Sequence, residues 1–318
     1  QMCIRDRSMS ASPAESAPEP QPVLGRLLTA MVTPFAADGS VDEQATAALA
    51  AELVDRGNDG LVVCGTTGEY STMTDEENAR VFRIVKEAVG DRASVVAGVG
   101  SNDTAHTLHL AELAEGVGVD GLLVVTPYYN KPTQAGLRAH FRTVADAVHT
   151  PVMLYDIPGR AGIPIAPDTY RALAEHPNIM AVKDAKADFM AAARVMAETD
   201  LVFYSGDDGL TLPWIALGAA GLVGVTTHVD TPRYRRLVDA ALGSDLETAR
   251  QINEELLPLV RATMTRVPGA VAAKTILQWQ GRLPNNTVRL PHVAPTQAEL
   301  EQIRADLSTS VAANTLTD

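Results

Sequence analysis

GLVVCGTTGEYSTMTDEENARVFRIVKEAVGDRASVVAG, residues 60–98, carries the pattern that decides the fold. It opens on a short run that is apolar throughout, Gly60–Val63, and crosses a polar loop. Thr74–Val89 then repeats its apolar positions at helical spacing, and Ser94–Gly98 is a second apolar run. Runs that are apolar on both faces suit a parallel sheet covered by helices, because a sheet with one wet face would alternate. Thr74 followed by Glu77 reads as a capping box that starts the helix. The stretch is therefore one strand, one loop, one helix and the next strand.

The same unit recurs on both sides of it. Upstream, Leu27–Thr33 predicts a strand and Asp42–Arg56 a helix. Downstream, the spacing predicts helices at Asn102–Gly116, Gln134–Val148, Ala166–Glu175, Phe189–Glu198 and Leu210–Leu217. They alternate with strands at Gly121–Val125, Val152–Tyr155, Ile179–Lys183, Leu201–Ser205 and Gly221–Val225. Eight such units predict an α/β chain folded as a (β/α)8 TIM barrel over residues 23–230. An open doubly wound sheet is the alternative, but the first strand lacks the GxGxxG turn of a dinucleotide site. Beyond Thr231 the pattern is purely helical (Pro232–Leu242, Leu246–Thr265, Val271–Gln280, Gln297–Ser308), which predicts a C-terminal helical extension over 231–318. Residues 1–22, rich in Pro, Ser and Ala, read as a disordered tail, with Gln1–Ser8 a non-native start ahead of Met9.

Composition narrows the function. Of 318 residues, 26 are Lys or Arg and 39 Asp or Glu, a formal charge of −13, which argues against nucleic-acid or anionic-membrane partners. Cys3 and Cys64 are too few for a disulfide scaffold or a CxxC metal site. No run reaches the roughly 18 apolar residues of a membrane span, and no secretion signal opens the chain, so a cytoplasmic location is expected.

In a barrel of this kind the chemistry sits where strands end. The unusual polar residues fall there: GTTGEYSTMT after the second strand, TPYYNKP after the fourth, YDIPGRAG at the fifth, VKDAK at the sixth, SGDD at the seventh and GVTTHV at the eighth. Strand alternation puts Lys183 on the inner face with Ile179 and Ala181. Burial there disfavours its ammonium and leaves amine to attack a carbonyl, unless the lysine is simply paired with Asp184 or Asp207. Lys86 and Lys131 read as solvated. GTTGE has the logic of an anion cradle, with Gly65 and Gly68 permitting a tight turn and Thr66 and Thr67 offering N–H and hydroxyl groups. Tyr155 closes the fifth strand facing inward, either reaching the mouth or bonded to a backbone carbonyl. Arg160 offers a fork for a carboxylate, or is a surface arginine. Asp208 reads as a helix cap, and His106 with His109 lacks the third ligand of a metal site.

Taken in this order, the motifs resemble the dihydrodipicolinate synthase family within the N-acetylneuraminate lyase superfamily, from about Leu24 to about Pro295, including Lys274, Leu277, Gly281 and Arg289–Pro291 near the end. The resemblance implies that Lys183 forms a Schiff base with pyruvate and that the resulting enamine attacks aspartate semialdehyde. It implies a proton relay of Tyr155, Thr67 and Tyr129, the last from a neighbouring subunit of a homotetramer. Pyruvate would be held by Thr66 and Thr67, the semialdehyde by Arg160, with Gly206 and Val223 also lining the substrate. No metal or organic cofactor is called for, because the imine supplies the activation. An allosteric cleft for lysine corresponds to Tyr70, Ser71, Asp75, Asn78, Asn102, His106 and Tyr128. His106 replaces the glutamate of lysine-sensitive relatives, and Asp75 reads as serving its helix N-terminus, so little lysine inhibition is expected. Three positions depart from the family pattern: Asp156 for Asn, which adds charge near Arg160, Ala270 for Pro and Gly224 for Ser. Sugar-acid aldolases of the same superfamily, and a catalytically silent paralogue that only binds small acids, are the competing functions.

Overall fold

A computed structural model describes Pro22 and residues 24–310, so the tail expected over 1–22 lies outside the described residues apart from Pro22. Eight parallel strands close into a barrel in chain order. They are β1 (Leu27–Ala30), β2 (Gly60–Val63), β3 (Ser94–Gly98), β4 (Gly121–Val125), β5 (Val152–Asp156), β6 (Ile179–Asp184), β7 (Val202–Ser205) and β8 (Gly221–Gly224). Around and beyond them stand α1 (Glu43–Asp55), α2 (Asp75–Val89), α3 (Thr104–Val117), α4 (Gln134–Ala147), α5 (Pro158–Ala161), α6 (Pro167–Ala174), α7 (Phe189–Glu198), α8 (Thr211–Leu217), α9 (Thr231–Leu242), α10 (Leu246–Met264), α11 (Gly269–Trp279) and α12 (Gln297–Ser308). The TIM barrel read from the sequence is the fold. The short α5, inside the YDIPGRAG segment, was not anticipated, because four residues are too few to show a helical period.

Strands form where both faces are covered: β2, β5, β7 and β8 are buried along their whole length. Helices start where a short polar side chain can take the first free N–H groups. Asp42, Asp103, Thr133 and Asp188 each accept a backbone N–H at the start of α1, α3, α4 and α7. Thr74 and Glu77 form the complete capping box of α2. β1 closes the sheet against β8, with Leu28 opposite Val223.

One irregularity positions the chemistry. Between β5 and β6 the register shifts: Val152 faces Ile179, but Met153 faces Ala181, so Met180 is an unpaired bulge residue and is 37% exposed. Beyond the bulge Tyr155 lies opposite Lys183. Without the extra residue the tyrosine would face Val182.

α9 follows β8 and packs beside α8 and against β1, completing the helical ring. A second apolar cluster joins Leu27, Ile215 and Leu222 of the barrel to Tyr234, Leu237, Ile252, Leu256, Leu259, Ile276, Ile303 and Leu307, and so fixes the later helices onto one side. None of the described helices is long and apolar enough to cross a membrane.

Candidate active site

Lys183 stands near the end of β6, 5% exposed, with Nζ 4.3 Å from the centroid of the Tyr155 ring on neighbouring β5. It forms no ion pair with any described residue. The partners considered from the sequence are engaged elsewhere: Asp184 accepts the N–H groups of Lys186 and Ala187, and Asp207 accepts that of Gly209. Burial pushes the Lys183 ammonium down to about 8, opposed by the Asp208 charge and helped by Arg160. Burial also pushes the Tyr155 phenol up to about 12, while Arg160 and a hydrogen bond with the Thr66 side chain pull the other way. Tyr155 is therefore not tied to a backbone carbonyl; that role falls to Tyr204, whose hydroxyl donates to Gly25 O.

The GTTGE loop folds back on itself through Gly68 N to Gly65 O and Glu69 N to Thr66 O. The N–H groups of Thr66 and Thr67 donate to no described residue and are free for an anion. The expected reason for the turn needs correcting. The residues with left-handed backbone are Cys64 (φ 53°) and Glu69 (φ 56°), not the glycines. Gly68 is required for closeness instead: a Cβ there would meet Cys64 N at 2.9 Å and Met31 O at 3.2 Å.

An open cleft of about 760 Å³ spreads beside the loop, bounded by Thr66, Tyr70, Tyr128, Tyr129, Lys131 and Arg160 among others. Arg160 is exposed and makes no ion pair with the described residues, so its fork is available to a carboxylate. The charge expected from Asp156 does not reach it. Asp156 is fully buried, accepts from Ile165 N and the Tyr170 hydroxyl, and is neutralised by Lys186 Nζ at 2.9 Å. Lys86 is likewise not simply solvated but paired with Asp120 at 2.8 Å. Gly206 donates its N–H to Asp184 O beside the end of β6, and Val223 is buried in β8 opposite Leu28.

The reading of Asp208 as a helix cap is corrected as well. Asp207 supplies the cap, while Asp208 is buried and accepts from Val225 N (2.9 Å) and Thr226 N (2.7 Å), and its carboxyl is pushed up to about 6 by burial. Gly224 belongs to this arrangement, since a Cβ there would approach Asp208 Oδ1 to 2.7 Å.

Tyr129 sits at φ 74° with its side chain 88% exposed, and its N–H is held by Ala161 O. The residues expected to form an allosteric cleft fall into linked groups, with Asn78 Nδ2 3.5 Å from Tyr70 O. Tyr70, Ser71 and Tyr128 line the large cleft, and Asn78 is buried with its amide on Thr74 O. Asn102 O accepts from the Asn130 side chain. Asp75 turns across to α3 and meets His106 Nε2 at 2.9 Å, so its carboxylate serves more than its own helix end.

Sequence reading missed what supports the loop. Glu69, fully buried, is bonded to Lys274 of α11, and Arg289 donates its backbone N–H to the same carboxylate. A charged residue at the end of a glycine turn and a lysine in an otherwise apolar helix were the available signals.

A family model described as the dihydrodipicolinate synthetase family matches residues 23–310. The chain is 53% identical over 296 residues to a 4-hydroxy-tetrahydrodipicolinate synthase of Kineococcus radiotolerans, covering 93% of this chain and 96% of the relative. It is 54% identical over 284 residues to one of Mycolicibacterium paratuberculosis, covering 89% and 94%. Among solved structures, the enzyme of Cyanidioschyzon merolae with lysine bound superposes with a TM-score of 0.88 at 39% identity, covering 93% of this chain and all of that one.

Proposed function

The chain belongs to the dihydrodipicolinate synthetase family, and from that premise we propose how its residues carry out the condensation of pyruvate with L-aspartate 4-semialdehyde to 4-hydroxy-tetrahydrodipicolinate, a step of lysine and diaminopimelate biosynthesis that we place in the cytoplasm. The observation that carries the reading is Lys183: buried, without an ion-pair partner among the described residues, pushed to about 8, and stacked over Tyr155.

The free N–H groups of Thr66 and Thr67 take the pyruvate carboxylate. The Lys183 amine attacks the ketone carbon, the carbinolamine loses water, and the iminium draws electrons from the methyl group so that a proton leaves and an enamine forms. The enamine carbon bonds to the aldehyde carbon of the semialdehyde, whose carboxylate is held by Arg160, and the new alkoxide takes a proton to become the 4-hydroxyl. The semialdehyde amine then attacks the imine carbon, closes the ring and releases Lys183. Tyr155, Thr67 and Tyr129 pass the protons. Gly206 and Val223 flank the bound pyruvate. The 88% exposure of Tyr129 on a strained, anchored loop supports our reading that it serves a neighbouring subunit's site in an oligomer, a homotetramer in this proposal.

Borohydride added with pyruvate should attach a reduced pyruvyl group to the Lys183 peptide. Labelling of another lysine, or none, would falsify the assignment. Mixed oligomers of inactive Lys183→Ala and Tyr129→Phe chains should regain part of the activity, since a hybrid holds one complete site. Absence of rescue with hybrids present would place Tyr129 outside its partner's mechanism.

A further inference from the structure

We propose that the buried ion pair between Glu69 and Lys274 is the positioning device of the pyruvate cradle, through which the C-terminal extension sets substrate affinity in the barrel. The inference rests on the reading that Thr66 and Thr67 N–H groups hold the pyruvate carboxylate. Neither Glu69 nor Lys274 borders the large cleft.

Glu69 ends the cradle in left-handed backbone, a conformation that costs a residue with a Cβ and persists only when its surroundings hold it. Those surroundings come from far along the chain. Lys274 Nζ lies 2.5 Å from Glu69 Oε1 and also donates to Thr287 O, and Arg289 N donates to Glu69 Oε2. The two side chains of the pair are 1% and 0% exposed. Phe35 lies under both cations, 4.1 Å from Lys274 Nζ and 4.4 Å from the Arg289 guanidinium carbon. Arg289 continues to Gly39 O, Thr72 O and the Glu77 carboxylate, so the loops after β1 and β2 are held by one set of contacts.

The cradle is short and hangs directly from this anchor. Glu69 N donates to Thr66 O, and Thr33 Oγ1 donates to Gly68 O, so a rotation at Glu69 moves the peptide units of Thr66 and Thr67. A buried ion pair is a poor source of net stability compared with apolar packing of the same volume, but it imposes one geometry. Here that geometry fixes the turn that carries the Thr66 and Thr67 N–H groups, which donate to no described residue.

The test uses the full chain and reads the pyruvate concentration that half-saturates borohydride labelling of Lys183, with thermal melting measured alongside. Glu69→Gln, Lys274→Met and the double variant are compared with Lys86→Met, which breaks the outer-face pair with Asp120. Glu69→Gln and the double variant should require about tenfold more pyruvate or higher, the scale of a cradle misplaced by a fraction of an ångström. Their labelling rate at saturation should stay within about threefold. The double variant, with no stranded charge, should recover melting temperature relative to Lys274→Met without recovering affinity. Lys86→Met should lose stability alone. Recovery of affinity together with melting temperature, or wild-type half-saturation in Glu69→Gln, overturns the proposal, since a merely structural pair would behave so. Should Lys274→Met fail to fold, Glu69→Gln decides by itself. Failure of the wild type to label with pyruvate would instead remove the reading beneath it.

Discussion

Lys183 and Lys274 are both buried, and in both burial pushes the ammonium down to about 8. Around Lys274 a carboxylate, a backbone carbonyl and a ring face meet the amine within hydrogen-bonding or cation–π distance. Around Lys183 there is one ring face and the longer-range charge of Asp208. The same residue type under the same desolvation is a structural tie where the charge is answered and, in the mechanism we propose, the nucleophile where it is not. What separates them is the partner, not the depth.

The largest consequence is in stability and activity together. A lysine held at about 8 instead of 10.5 destabilises the neutral-pH fold by about 3 kcal/mol, because the unfolded chain protonates it more readily. The sign follows: stability from this group is lost below pH 8 and regained as pH rises from 8 towards 10.5. Lys183→Met should therefore abolish turnover while raising the melting temperature by a few degrees at pH 7. Lys274→Met removes the bonded partner of buried Glu69 and leaves it only the more distant Arg289 charge, a change that typically costs about 3–5 kcal/mol, and should lower the melting temperature. Calorimetry of the two variants checks the pair, and a fall in both would dissolve the contrast between them.

A smaller effect sharpens the mouth side. Arg160→Ala should reduce kcat/KM for the semialdehyde about a hundredfold, the worth of a charge-assisted contact of roughly 2–3 kcal/mol. Pyruvate imine formation should change much less, and slow slightly, because Arg160 helps to hold the Lys183 ammonium down. Equal loss in both half-reactions, measured separately, would make the arginine structural.

The smallest effect is a displacement along the pH axis. With its ammonium at about 8, Lys183 is ~10% free amine at pH 7, against ~0.03% for an unshifted lysine. The imine-forming rate at saturating pyruvate should climb between pH 6 and 8 and level off above. Asp208 favours the ammonium, so Asp208→Asn should move the midpoint of that climb to lower pH. A midpoint that stays put, or moves upward, would show that Asp208 does not act on Lys183.

Much of this was legible in the sequence because it depends on local pattern. Apolar runs alternating with helical periods specify the barrel strand by strand, and Thr74 with Glu77 marks the start of α2 correctly. Lys183, Tyr155, Arg160 and the two threonines stand at strand ends, and the fold brings strand ends together at one mouth, so chain order alone could nominate them. Charges whose partners are distant in sequence were read less well. Local pattern makes Asp156 an added charge near Arg160, whereas Lys186 answers it, and makes Asp208 a cap, whereas its N–H donors are Val225 and Thr226 just after β8.

By itself, then, the sequence determined the strands and the longer helices, the closed architecture and the identity of the chemical groups, since propensity, period and residue type act over a few neighbours. Tertiary structure alone decided which charges are answered: Glu69 meets Lys274 across 205 positions, and no local rule anticipates such a contact. It also decided register, because the bulge at Met180 sets Tyr155 opposite Lys183. Pairing between strands is fixed by how two backbones meet in space, and a single chain segment carries only its own half of that match.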